Sequence, residues 1–210
     1  MDTTKIVADL MPYCFQTTYT LNHSRLLESL NVLMDRMVQS LDTIQTRLLN
    51  KEIPWYQLNL THLPGLTGDD RFLKYTGKTS HTKSLGISEA DFSQHLREMQ
   101  DLYIGQVIHD VYKQHNRKFQ GRAILLWLGP GVEYMWHRDI DTRSRYHIPL
   151  ITNNECWFKF KEYDSDTGWI TNQIHQPIGT VWYVDPVTLE HTFANDSDKI
   201  RLHLVLTNGF

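Results

Sequence analysis

The chain has 210 residues, 40% of them hydrophobic and 21% charged, and a formal net charge of -3. That length suits one large domain, or one domain with an appended helical part. The charge gives no reason to expect nucleic acid or an anionic membrane as a partner, and no run approaches the ~18 apolar residues of a membrane-spanning helix.

Cys14 and Cys156 are the only cysteines, too few for a disulfide framework, so reduced thiols are expected. The opening MDTTKIVADLMPYCF lacks the apolar core of a secretory signal. The expectation is a cytoplasmic protein.

Residues 1–20 read as a short strand or extended lead-in. From Asn22 to about Asn50, Leu26, Leu27, Leu30, Leu33, Met34, Met37, Val38, Leu41 and Ile44 recur at three- and four-residue steps. That spacing predicts a helix with Asn22 or Ser24 as its cap. Residues 54–60 alternate like a strand. Residues 61–86 are rich in Gly, Thr, Asp and Lys and read as a long surface loop. A second helix is expected from Ser88 to about His115, with a possible break at Gly105. After Gly121 the pattern turns to strands. Residues 123–128 form a buried run that stops at Gly129-Pro130-Gly131. Further strands are expected at 146–151, 155–163, 169–174, 179–184 and 200–206. Many short strands divided by turn residues indicate a sandwich or barrel such as a jelly roll, with helices on one outer face. The chain is read as one domain over 1–210. Residues 1–120 would be a helix-rich support with a substrate-side loop, and residues 121–210 the jelly-roll core.

The chemistry concentrates in the last third. His137-Arg138-Asp139 places an imidazole and a carboxylate two residues apart, and on an extended chain such residues share a face. About one His-x-acid triplet is expected by chance in this composition, so the triplet alone leaves ordinary polar loop residues open. His191, just after the strand expected at 179–184, is the candidate third ligand. Two histidines and a carboxylate form the open-faced triad of non-haem iron oxygenases; a three-ligand zinc site is the competing metal reading. Asp185 is a second possible acid, and the shared-face argument favours Asp139. Arg201 and His203 share one face of an apolar strand, with Leu202 and Leu204 on the other. A charge there needs a partner, and an arginine can grip a carboxylate with two parallel hydrogen bonds. The bland alternative is a structural ion pair. Arg145 and His147 form a second polar pair on one strand face.

Over roughly residues 121–210 this pattern resembles the aspartyl/asparaginyl/prolyl β-hydroxylase family of iron(II)- and 2-oxoglutarate-dependent oxygenases. The resemblance rests on the Pro130-Gly131 turn, His137-x-Asp139, Arg143-x-Arg145-x-His147, Gly179-x-Val181-Trp182-Tyr183-x-Asp185, and His191 followed ten residues later by Arg201. It implies a double-stranded β-helix, the cupin-like jelly roll, with helices packed outside. It implies iron(II) on His137, Asp139 and His191, and one carboxylate of 2-oxoglutarate on Arg201. Arg145 and His147 would contact the other end of the cosubstrate or fix its geometry at the metal. Dioxygen would be consumed, with ascorbate as activator. Glycine replaces the triad acid in the animal aspartyl hydroxylases, so Asp139 brings this chain closer to the bacterial proline-hydroxylase branch. Leu126 stands where animal members carry a serine that helps hold 2-oxoglutarate. Trp127 or Tyr183 is then expected to complete that pocket.

The implied activity is hydroxylation of a C–H bond in a free amino acid or a peptide residue. Tyr134, Trp136 and the 61–86 loop are candidates for the substrate side. A jelly-roll module binding a metal or a carboxylated ligand without redox chemistry is the rival reading, and a zinc hydrolase is a third.

Overall fold

The computed structural model describes residues 13–37, 41–76, 84–114, 121–140 and 142–209. In chain order the elements are β1 (Cys14–Gln16), α1 (His23–Arg36), α2 (Leu41–Leu49), β2 (Trp55–Asn59), β3 (Thr61–His62), α3 (Asp70–Leu73), β4 (Gln94–His95), α4 (Tyr103–Gln114) and β5 (Ala123–Leu128). They continue with β6 (Val132–Glu133), β7 (Thr142–Ile151), β8 (Cys156–Asp164), β9 (Gly168–Ile174), β10 (Trp182–Val184), β11 (Glu190–Asn195) and β12 (Arg201–Gly209). One-turn 3-10 helices lie at Glu89–Asp91 and Arg97–Met99.

Two antiparallel sheets carry the fold. The larger has the order β1-β10-β7-β12-β5-β2, the smaller β6-β11-β8-β9. Strand β12, late in the chain, therefore lies in the middle of the larger sheet between β7 and β5. This is the mainly β jelly roll expected from the strand pattern.

Alternation along the strands builds two separate cores. Ala123, Leu125 and Trp127 of β5, Leu202, Leu204 and Leu206 of β12, and Tyr146, Ile148 and Leu150 of β7 join the helices in one cluster. Ile124, Leu126, Leu128 and Val205 point the other way and meet Phe158, Phe160 and Phe193 of the smaller sheet. Every residue of β5 is buried, as a strand covered on both faces requires. The register of β12 on β7 shifts at Leu202/His203, beside Pro149, which has no N–H to give the ladder. Cys14 and Cys156 are free and buried. No described helix is long and apolar enough to cross a membrane.

Several local expectations need correction. The Leu/Met stripe is two helices: Met37 is extended (φ -96, ψ 154) and closes α1 by donating to Leu33 O and Met34 O. Both helices turn apolar faces to one core, through Leu26, Leu30, Leu33 and Met34 and then Ile44 and Leu48. One continuous stripe therefore resulted. Asn22 caps α1 as expected, accepting from Arg25 N at 3.0 Å. Within 61–86, β3 and α3 replace part of the supposed loop; residues 77–83 lie outside the described residues. Residues 1–12 of the lead-in and His115 also lie outside them. The helix expected from Ser88 starts only at Tyr103. Ser88 and Asp91 do form a capping box, but Leu96 N then donates to Leu60 O and β4 pairs with β3.

The segment before β4 is fixed by a buried cation. Arg122 donates from Nη1 to Glu89 Oε1 at 3.2 Å, from Nε to Asn59 Oδ1 at 2.9 Å, and from Nη2 to Tyr75 O. Its guanidinium lies 4.4 Å over the Phe92 ring. A charge this buried needs such a full set of partners.

Gly105 lies inside α4 and does not break it. A Cβ there would sit 2.5 Å from the Met99 carbonyl oxygen. Gly105→Ala should therefore destabilise the protein by about 1–3 kcal/mol through overpacking, although alanine is the better helix former by ~1 kcal/mol. Chemical denaturation measures it; an unchanged or raised midpoint would mean that α4 moves freely away from Met99.

Candidate metal centre

The site lies where the start of β11 meets the segment after β6. His137 and His191 form an isolated antiparallel bridge: His137 N donates to His191 O at 3.0 Å, and His191 N to His137 O at 2.9 Å. The bridge sets the two imidazoles side by side, with centroids 4.4 Å apart. His191 thus lies within a strand of its own, β11, which begins six residues beyond the end of β10 at Val184. His191, Phe193 and Asn195 alternate with Thr192 and Ala194, but too few of them are apolar for a strand to stand out in the sequence.

Both rings are oriented in the same way. His137 Nδ1 lies 2.8 Å from Met135 O, and His191 Nδ1 lies 2.9 Å from Leu189 O. A carbonyl only accepts, so each Nδ1 carries a proton, and Nε2 is the nitrogen left to face a metal. A ring fixed by a carbonyl on one nitrogen is the usual state of a metal-ligating histidine.

Asp139 joins them. Its N–H donates to Pro186 O at 2.9 Å, and its Oδ1 lies 3.8 Å from His137 Nε2. One donor atom from each of His137, Asp139 and His191 lies within 4.8 Å of the others. Ligands about 2 Å from one ion span ~4 Å at most, so a small side-chain rotation brings the three onto a common ion. Two neutral imidazoles and a carboxylate suit a first-row divalent metal such as iron(II). Asp185 is otherwise engaged: its Oδ1 accepts from Val187 N and Thr188 N, both at 3.0 Å, and its Oδ2 from the Thr188 hydroxyl at 2.9 Å. It caps a turn.

Arg145 lies beside the cluster. Its Nε lies 2.5 Å from Asp139 Oδ2, so it grips the acid of the cluster. The Arg143 side chain lies outside the described residues. His147, two residues on, is fully buried and stacks on Phe193 with centroids 5.1 Å apart. Neither of its ring nitrogens has a hydrogen-bond partner among the described residues.

Further in lies Arg201, 1% exposed. Its guanidinium sits 5.1 Å over the Phe193 ring, and its Nη2 donates to His203 Nδ1 at 3.1 Å. Its Nη1 has no partner, and no described carboxylate lies within ion-pair distance. Burial lowers its pKa to about 10, which leaves it charged at neutral pH. A buried, uncompensated cation is costly unless an anion meets it. An acidic ligand such as a carboxylate would meet that charge. Neither Trp127 nor Tyr183 completes this pocket. Trp127 belongs to the core under the helices, and Tyr183 packs against that same core. Leu126 does face the lumen. On the rim, Tyr134 packs edge-on to His137 at 5.5 Å. Trp136 donates to Glu133 and lies 4.5 Å beneath the Lys161 ammonium.

Burial drives the His147 and His203 pKa values well below the ordinary imidazole value, and the Arg201 charge adds to this. Burial, then His137, lowers that of His191 to about 4. Three imidazoles thus stay neutral in the folded chain while the unfolded chain protonates them below ~6.5. The unfolded state binds more protons there, so stability is held above that pH and lost below it. Metal-free protein should lose about 1 kcal/mol per histidine for each pH unit below ~6.5. Thermal melts from pH 7.5 to 5 read this, and a flat profile would contradict it.

A sequence model of the aspartyl/asparaginyl beta-hydroxylases matches residues 93–208. The search of curated proteins found no match. Among solved structures, an oxidoreductase of the 2OG-Fe(II) oxygenase family from Burkholderia pseudomallei shares the fold at 12% identity, with TM-score 0.52 over 100% of this chain and 92% of that one. A Pseudomonas putida prolyl-4-hydroxylase aligns at 13% identity with TM-score 0.47 over 98% of both chains.

Proposed function

Because the chain belongs to the aspartyl/asparaginyl beta-hydroxylase family, a hydroxylating class dependent on iron(II) and 2-oxoglutarate, we propose that His137, Asp139 and His191 hold the metal and that Arg201 and His147 serve the cosubstrate. The observation that carries this reading is the pairing of a three-donor cluster with a buried, charged Arg201 in one lumen. A metal site alone does not require that arginine.

When bound, iron(II) supplies the dioxygen chemistry that turns a C–H bond into C–OH while 2-oxoglutarate is consumed. The protein's own residues do the rest. Met135 O and Leu189 O hold the two imidazoles with Nε2 forward. Arg145 holds Asp139 and shares its charge. Arg201 fixes the far carboxylate of the cosubstrate. His147, neutral and stacked on Phe193, offers a ring N–H to the cosubstrate beside the metal. Phe158, Phe160, Phe193, Leu126 and Val205 make the walls apolar, which strengthens each of these polar contacts. The proposed substrate is an amino acid, free or within a peptide, with Met135 and Ile140 exposed at the rim. Dioxygen is the proposed oxidant and ascorbate the proposed activator. A cytoplasmic setting is proposed because both thiols are free, and no nucleic-acid partner because the charge is -3. Residues 1–210 are proposed to act as one oxygenase domain.

Protein supplied with iron(II), ascorbate and 2-oxoglutarate under air should form succinate, and a screen of amino acids and peptides should raise that rate. Zinc in place of iron should give none. His137→Ala or His191→Ala should lower turnover at least ~100-fold, beyond the loss typical of a residue that only supports a ligand, and weaken manganese binding in parallel. Full turnover in either variant would refute the triad. Asp139→Ala should cost far more activity than Asp185→Ala, and the reverse order would reassign the acid.

A further inference from the structure

Resting on the oxygenase reading above, we propose that Glu162, steadied by Asn172, binds an ammonium group of the substrate beside the metal centre.

The smaller sheet sets the donor cluster out in cross-strand rows. His137 faces His191, His191 faces Phe160 on β8, and Phe160 faces Asn172 on β9. One row thus runs from the two histidines to an amide. The row on one side of it is apolar, with Phe193, Phe158 and Ile174. The row on the other side carries Glu162 opposite Ile170. Residues two apart on a strand share a face, so Glu162 lies on the face of β8 that buries Phe158 and Phe160 between the sheets. One strand spacing across and two residues along put its Cα roughly 8 Å from that of His191. The Arg201 guanidinium lies over Phe193. Arg201 and Glu162 therefore flank the histidine row from opposite sides, the first suited to the cosubstrate and the second to the substrate.

The lysines of β8 are turned to the outer face, where Lys159 pairs with Glu133 and Lys161 with Glu190. No described cation lies within ion-pair distance of Glu162. Among the described residues its carboxylate is met by Asn172, whose Nδ2 donates to Oε2 at 3.2 Å. That diagonal contact joins neighbouring strands on one face and fixes the carboxylate next to Phe160. Glu162 Oε1 and Asn172 Oδ1 remain, and both are acceptors. Two acceptors and a negative charge beside an apolar floor suit a compact cation with several N–H groups. An ammonium is such a group. Glu162 is half-buried and Ile170 is exposed, so a ligand can reach the carboxylate from the rim. The substrate is then an amino acid held by its amine, from the α position or from a side chain.

Calorimetry on protein loaded with manganese and 2-oxoglutarate tests this without turnover. The probes are the common free amino acids and their Nα-acetyl forms. At least one free amino acid should bind. Glu162→Gln should weaken that binding about tenfold to a hundredfold, the loss expected for a hydrogen bond to a charged group. Glu162→Asp, which keeps the charge on a shorter stem, should lose less. Affinity for 2-oxoglutarate itself should stay within about twofold of the wild type in both variants, as expected if the lost bond goes only to the substrate. A probe that Nα-acetylation weakens as much as Glu162→Gln does is held by its α-ammonium. Nα-acetyl-lysine that binds and still depends on Glu162 marks a side-chain ammonium, as a peptide would present. Unchanged probe affinity in Glu162→Gln would overturn the proposal. So would an equal loss for 2-oxoglutarate, which marks a structural role. Protein that takes up 2-oxoglutarate but no amine probe would also overturn it and leave the oxygenase reading standing. Failure to take up 2-oxoglutarate at all would remove both.

Discussion

The centre depends on one short piece of ladder. Two backbone hydrogen bonds join His137 to His191, and everything the donor cluster does follows from that crossing. Residues far apart in the chain are locked face to face, and the carbonyl two residues before each histidine fixes its ring. The same local device is used twice, once on each side of the bridge. Tyr134 N extends the crossing by donating to Phe193 O. Side chains held by a sheet are placed more firmly than side chains on loops. Asp139 lies just past the ladder, and its position is secured from both ends, by Pro186 O on the backbone and by Arg145 on the carboxylate.

Strand alternation then decides what faces the lumen. On β12 the leucines go to the helices, while Arg201, His203 and Val205 go between the sheets. A stability-first design would not place a guanidinium and a one-sided imidazole on that inner face. Violations of local consistency gather where a protein binds or reacts, and here they gather along one line, from Arg145 through His147 to Arg201 and His203. The Arg122 cluster shows the contrast. That cation is equally buried, but Glu89, Asn59 and Tyr75 meet it fully, and it fastens the chain to the sheet edge.

Much of this was legible in the sequence, for identifiable reasons. The β5 run and the β12 alternation are strong period-two signals, and a charge inside an apolar strand drew the eye to Arg201. The two-residue spacing brought His137 and Asp139 together. What was hidden depended on partners distant in sequence. Whether a leucine stripe is one helix or two is decided at Met37, where both versions bury the same face. The 88–102 stretch carried a sound capping box, yet its backbone was claimed by Leu60 and β3. β11 is short and polar and is a strand only because β8 and β6 flank it. Trp127 and Tyr183 were placed on the wrong face because a family pattern does not reveal which way an aromatic side chain points. The engagement of Arg145 with Asp139 exists only once the strands are paired.

The position of β12 has a consequence for synthesis. Strands β5 and β7 never touch edge to edge; the strand between them is the one that leaves the ribosome after both. Without residues 201–209, β5 and β7 would each keep an open rim and the larger sheet would be two halves. Such open rims invite chaperones or aggregation. The strand that closes the gap also brings the buried Arg201 guanidinium, so the core and that charge enter the fold together.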